Sequence, residues 1–141
     1  MAAALACALC WLAALTVFDV RHRRLPNALT LPGALAVLII AASVGRGGEA
    51  LLGALALTAA YLVVHLAAPT AMGAGDVKLA LGVGGLTGAF GVEVWLLAAV
   101  AAPLLTALWG IATCRWRGPV AHGPSMCAAT VAAVALAVAA P

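Results

Sequence analysis

Two aspartates stand out in a chain with very little charge: Asp19, closing the run AALTVFD, and Asp76, within MGAGDVKLALG. The chain has four acidic and seven basic residues among 141. The other two acids, Glu49 and Glu93, fall in short polar breaks where ordinary solvation accounts for them. Two carboxylates that meet across a helix bundle cannot both ionise easily, so the pair holds one proton between them. The ionised member can then activate water while the protonated member donates to a carbonyl oxygen, which is what hydrolysis of an amide requires. Asp19 alone, with Arg21, Arg23 and Arg24 close behind it, reads first as a solvated or ion-paired loop residue. Asp76 does not, because a charged side chain within a bilayer costs about 3 kcal/mol on insertion scales and is usually functional.

Membrane helices have to position this pair. Hydrophobic residues make up 67% of the chain and charged residues 8%, against about 25% charged in a soluble domain. A soluble protein of this length could not bury so much apolar side chain. The expected fold class is an all-α integral membrane protein, a single transmembrane domain over residues 1–141. Six spans are expected, at roughly 2–18, 28–44, 50–68, 77–91, 92–113 and 124–140. The first lacks a basic n-region and is followed by arginines, so it reads as a retained span and not a signal peptide. The fourth is short and glycine-rich; to cross, it has to begin upstream of residue 77 and draw Asp76 below the membrane surface.

The charges sort by loop. Arg21, Arg23, Arg24, Lys78, Arg115 and Arg117 fall in loops one, three and five, and only Arg46 falls in loops two and four. The positive-inside rule then places both termini outside and the odd-numbered loops in the cytoplasm. Asp19 and Asp76 share that cytoplasmic edge, each at a junction of loop and helix.

The glycines add to the argument. Gly73 and Gly75 frame Asp76, and glycine before a helix permits an unwound backbone and close approach by another chain. Ala80, Gly84 and Gly88 continue from Asp76 at four-residue spacing, a small-residue stripe that lets helices approach closely and turns Asp76 towards the bundle. Thr58, Tyr61 and His65 share one face of the third span, where interhelical hydrogen bonding is the first expectation and a direct role for His65 the second. His22 and His122 fall in loops and call for no special account. Cys7 and Cys10 have C-x-x-C spacing inside an apolar span and, like Cys114 and Cys127, read as small apolar filler. No metal, disulfide or cofactor is expected, and no nucleic-acid partner.

At this point the residues carry a resemblance. GAGDVKL (73–79) resembles the G-x-G-D-x-K-L signature of type IV prepilin peptidases, membrane aspartic proteases that trim prepilins and preflagellins. DVRHRRLPN (19–27) resembles their other motif, an aspartate closing the first span, then a basic loop and a hydrophobic residue followed by Pro-Asn. Both motifs occur in the family's order, and the six-span layout agrees over nearly the whole chain. HGPSMCA (122–128) is a short match to the family's glycine-proline start of a late span, and no role is read from it.

The resemblance implies that Asp19 and Asp76 are the catalytic dyad and that Gly73 and Gly75 shape the loop presenting the second aspartate. Lys78 matches the family's lysine; it could snorkel to the surface or bias the ionisation of Asp76. Pro26 and Asn27 would set the turn into the second span, proline in the first helical turn and asparagine at a cap or turn position. Bifunctional members carry paired C-x-x-C motifs in a cytoplasmic loop, associated with N-methylation. That region is missing here, so the chain resembles the short, peptidase-only form of tight-adherence (Flp) systems. The implied partners are the lipid bilayer and a prepilin-like substrate with a basic leader, a glycine before the cut and an apolar helix.

Three alternatives stay open on the sequence. A small ion- or proton-coupled transporter subunit would be expected to carry an internal repeat and midplane helix breaks. A non-catalytic assembly subunit of a secretion machine would not depend on its aspartates. A protease of signal-peptide-peptidase type would have its first aspartate after a tyrosine, where this chain has Phe18.

Overall fold

The structure, a computed structural model, describes residues 2–70, 72–113 and 121–140. The apolar runs form six helices: α1 (Ala2–His22), α2 (Asn27–Ser43), α3 (Gly47–Ala67), α4 (Ala74–Ala89), α5 (Val92–Ala112) and α6 (Gly123–Ala139). Each expected span has its helix, and no strand occurs among the described residues. Helices α1, α3 and α5 are long and apolar enough to cross a membrane, and α2 and α6 are shorter apolar helices. Large apolar side chains such as Val20, Leu35, Leu52, Leu66, Leu108 and Leu136 stand exposed on all of these, a surface suited to lipid and not to water.

Helix α4 has no large exposed apolar residue; it is the buried centre of the bundle, packed on α2, α3, α5 and α6. Its composition follows from that position. A Cβ on Gly84 would lie 2.5 Å from the Gly53 carbonyl oxygen of α3, and one on Gly88 would lie 2.7 Å from the Glu49 carbonyl oxygen. Ala80 is fully buried in the same packing. The small-residue stripe is therefore the seam along which α3 and α4 bring their backbones together. On another side, Gly82 gives way to the ring of Trp11, whose Nε1–H donates to the Leu29 carbonyl at 2.9 Å and ties α1 to α2. A helix enclosed by protein does not need the full length or the bulky side chains of a lipid-facing span.

Two helix boundaries position the site, one later than expected and one where the short fourth span called for it. Helix α1 runs on to His22, so Asp19 lies in its last turn and not at a loop junction. Arg23 ends the helix in the left-handed region (φ 48°), and its amide donates to the Asp19 carbonyl at 2.8 Å. Helix α4 begins at Ala74, upstream of residue 77 as its short apolar run required. Gly75 is therefore helical and not part of an unwound stretch. Loops one and three and the start of α6 share one end of the bundle, where Asn27 meets Lys78 and Tyr61 meets His122. At the other end Arg46 Nε donates to the Ala89 carbonyl at 2.9 Å, and Gly91 makes the α4–α5 turn with φ 117°, open to glycine alone without strain.

Candidate active site

Asp76 is the third residue of α4, in the first turn, where the helix dipole favours an anion. Its Oδ2 accepts the Gly73 N–H at 3.2 Å. This is one half of a capping box; glycine has no side chain to supply the other half. Asp19 occupies the opposite kind of site, the last turn of α1, where the dipole gives a carboxylate no help. Both are more than nine-tenths buried, with 8% of Asp19 and 9% of Asp76 exposed. They lie within electrostatic reach of each other. Asp19 Oδ2 has no hydrogen-bond partner among the described residues. The Gly123 backbone lies beside it but makes no well-formed hydrogen bond. A buried carboxylate oxygen without a partner costs stability, the kind of strain found where a group is kept for chemistry.

The two aspartate motifs meet in space. Gly75 sits against the side chain of Leu25, where a Cβ would come within 3.3 Å of the Leu25 Cβ. Lys78 Nζ donates to Asn27 Oδ1 at 2.8 Å. Lys78 thus reaches α2 and not Asp76, as its two-residue offset on the helix requires. Pro26 and Asn27 exchange the positions expected for them. Pro26 is the N-cap, extended at φ −68° and ψ 132°, and its carbonyl accepts the amides of Leu29 and Thr30. Asn27 is the first helical residue and makes no cap; its side chain serves Lys78 instead. Gly73 has an ordinary extended backbone (φ −74°, ψ 146°), and a Cβ there would lie 3.4 Å from Asp76 Oδ2, a normal contact. Its part is the amide it offers to Asp76.

The sequence of type IV leader peptidases, as a family model, matches residues 6–111. The chain belongs to that family. No curated protein and no solved structure matches it. The stretch matched to the leader peptidases takes in both aspartates and runs from within α1 to the last turn of α5, short of α6.

Helix α6 nevertheless closes the site. Gly123 is buried so tightly beside Asp19 that a Cβ would lie 2.5 Å from Oδ2. Cys127, one turn on, is buried near Thr16 and within the field of both aspartates. His122, which needed no account as a loop residue, is half-buried; its Nε2 meets Tyr61 Oη at 2.8 Å and its Nδ1 meets Thr106 Oγ1 at 2.6 Å. Burial holds the His122 imidazole below its usual pKa range. Tyr61, placed by pattern on a polar face of α3, is buried and within the field of Asp76. His65 Nδ1–H donates to the Met72 carbonyl at 2.7 Å, which fixes the loop just before Gly73. Thr58 Oγ1 is buried with no partner among the described residues. Cys7 and Cys10 are exposed free thiols on α1, and Cys114 lies outside the described residues. A proline after Gly123 suits the first turn of α6. The short match HGPSMCA was therefore the signal pointing to this third wall.

Proposed function

We propose that this leader peptidase is a membrane-embedded aspartic endopeptidase in which Asp19 and Asp76 together activate water. The observation that carries this reading is the convergence of two buried carboxylates, from the end of α1 and the start of α4, in a chain of a peptidase family. One carboxylate takes a proton from water as the water oxygen attacks the scissile carbonyl carbon. The other donates its proton to the carbonyl oxygen, and collapse of the tetrahedral intermediate expels the amine with a proton returned by the pair. The substrate is a prepilin-like protein with a short basic leader, a glycine before the cut and an apolar helix following it. Cleavage falls at the cytoplasmic face, the side to which the charge bias of the loops assigns the aspartate end. The chain crosses the membrane six times with both termini outside.

The experiment is co-expression with a reporter carrying a basic leader, a glycine and an apolar helix, with leader removal followed by mobility shift. Asp19→Asn and Asp76→Asn should each abolish cleavage while the protein still accumulates in the membrane. Wild-type cleavage by either variant would exclude the dyad.

A further inference from the structure

His122 joins three helices, and the direction of its hydrogen bonds can be worked out. Thr106 has one hydroxyl proton and lies 3.1 Å from the Ala102 carbonyl of its own helix, an ordinary back-bond for threonine. Tyr61 has one hydroxyl proton and, among the described residues, His122 as its hydrogen-bond partner. A neutral imidazole donates through one nitrogen and accepts through the other. If Nε2 carried the proton, Tyr61 oxygen would accept it and the Tyr61 O–H would be a buried donor without an acceptor among the described residues, at a cost of about 1–3 kcal/mol. If Nδ1 carries it, every donor is used: Tyr61 O–H to Nε2, Nδ1–H to Thr106 Oγ1, and Thr106 O–H to the Ala102 carbonyl. The second arrangement wins.

We propose that this directed chain, Tyr61 to His122 to Thr106, is the positioning device of the site. It clamps the start of α6 to α3 and α5 and so holds the Gly123 backbone against Asp19. Asp19 Oδ2 is the atom without a partner, and Gly123 is its immediate neighbour. Where the start of α6 sits decides whether the Gly123 N–H can reach that oxygen. Tyr61, at the other end of the chain, stands within the field of Asp76, so one chain touches the surroundings of both carboxylates. His122, Tyr61 and Thr106 need not contact substrate; they act through where they hold α6. This inference rests on the peptidase reading for its activity arm and is independent of it in its spectroscopic arm.

The test combines 15N NMR of the histidine rings in detergent with steady-state cleavage of the reporter. The wild-type signal that disappears in His122→Gln should report a neutral ring protonated at Nδ1 at neutral pH. An Nε2-protonated or cationic ring would overturn the proposal. In cleavage, His122→Phe fills the space without hydrogen bonds and should lower kcat by about tenfold or more with KM little changed, the pattern of a misplaced reacting group. His122→Gln keeps a donor and an acceptor and should recover part of that loss. A folded His122→Phe that cuts at the wild-type kcat would refute the device. Should His122→Phe fail to fold, the ring protonation of the wild type decides alone. A wild-type protein that leaves the reporter uncut refutes the peptidase reading, not the chain.

Discussion

Gly123→Ala is the substitution that most directly separates clearance from motif. The added Cβ would lie 2.5 Å from Asp19 Oδ2, 3.1 Å from its Cγ and 3.5 Å from its Cβ. Ordinary carbon–oxygen contact begins near 3.4 Å, so the carboxylate has to retreat by about 1 Å or turn about its own bond, at a rotamer cost of about 0.5–1.5 kcal/mol. Stability should therefore change little. Rate should not, because a reacting group misplaced by about 1 Å loses on the order of 10²-fold. Gly73→Ala is the control: it lies in the recognised G-x-G-D motif, yet its Cβ would meet Asp76 Oδ2 at 3.4 Å in a backbone any residue can adopt. Gly73→Ala should cleave within about threefold of wild type, because the carboxylate can stay where it is. The assay is the initial rate of reporter cleavage in membranes, with thermal unfolding in detergent to check the fold. Wild-type cleavage by Gly123→Ala would refute the reasoning. So would an equal loss in the two variants, since motif membership and not clearance would then set the effect.

Other perturbations probe the scaffold. Gly84→Ala would bring a Cβ 2.5 Å from the Gly53 carbonyl oxygen and 2.8 Å from the Leu57 Cβ, so α3 and α4 have to part. Overpacking of this kind costs about 1–3 kcal/mol, and a lowered unfolding temperature in detergent should show it. Lys78→Met and Asn27→Ala each remove the same 2.8 Å hydrogen bond, worth about 0.5–1.5 kcal/mol, and the double variant should lose no more than the larger single. Fully additive losses would mean that the two side chains do not act on each other. His122 titrates lower in the fold than the reference value of about 6.5, so below that pH the unfolded chain binds more protons than the folded one. Stability should fall as pH drops from about 7 through 6, and the slope should shrink in His122→Gln.

What the sequence made legible followed from signals that survive in one dimension. A four-residue spacing of small residues can be read as a helix seam without knowing its partner, and Ala80, Gly84 and Gly88 do lie on that seam. Apolar runs gave the helices because composition alone decides burial in lipid. Asp76 was legible because it breaks such a run. The end of α1 was not: Val20, Arg21 and His22 read as a polar loop, yet the helix continues through them until Arg23 turns left-handed. The order of Pro26 and Asn27 at the start of α2 was equally hidden, because Lys78 competes for the asparagine that would otherwise cap the helix.

The largest omission was the place of α6 beside Asp19, and its cause is geometric. The carboxylate at the end of α1 is covered by the Gly123 backbone at the start of α6, far from it in the chain. Nothing in the spacing of a chain says which element will cover it. A glycine does that job by lacking a side chain, so it leaves no periodicity and no charge to find. A histidine at a helix start looks like a solvated loop residue until two hydroxyls from different helices meet its two nitrogens. Such a residue becomes visible only when a hydrogen-bond donor is counted and found to have one place to go.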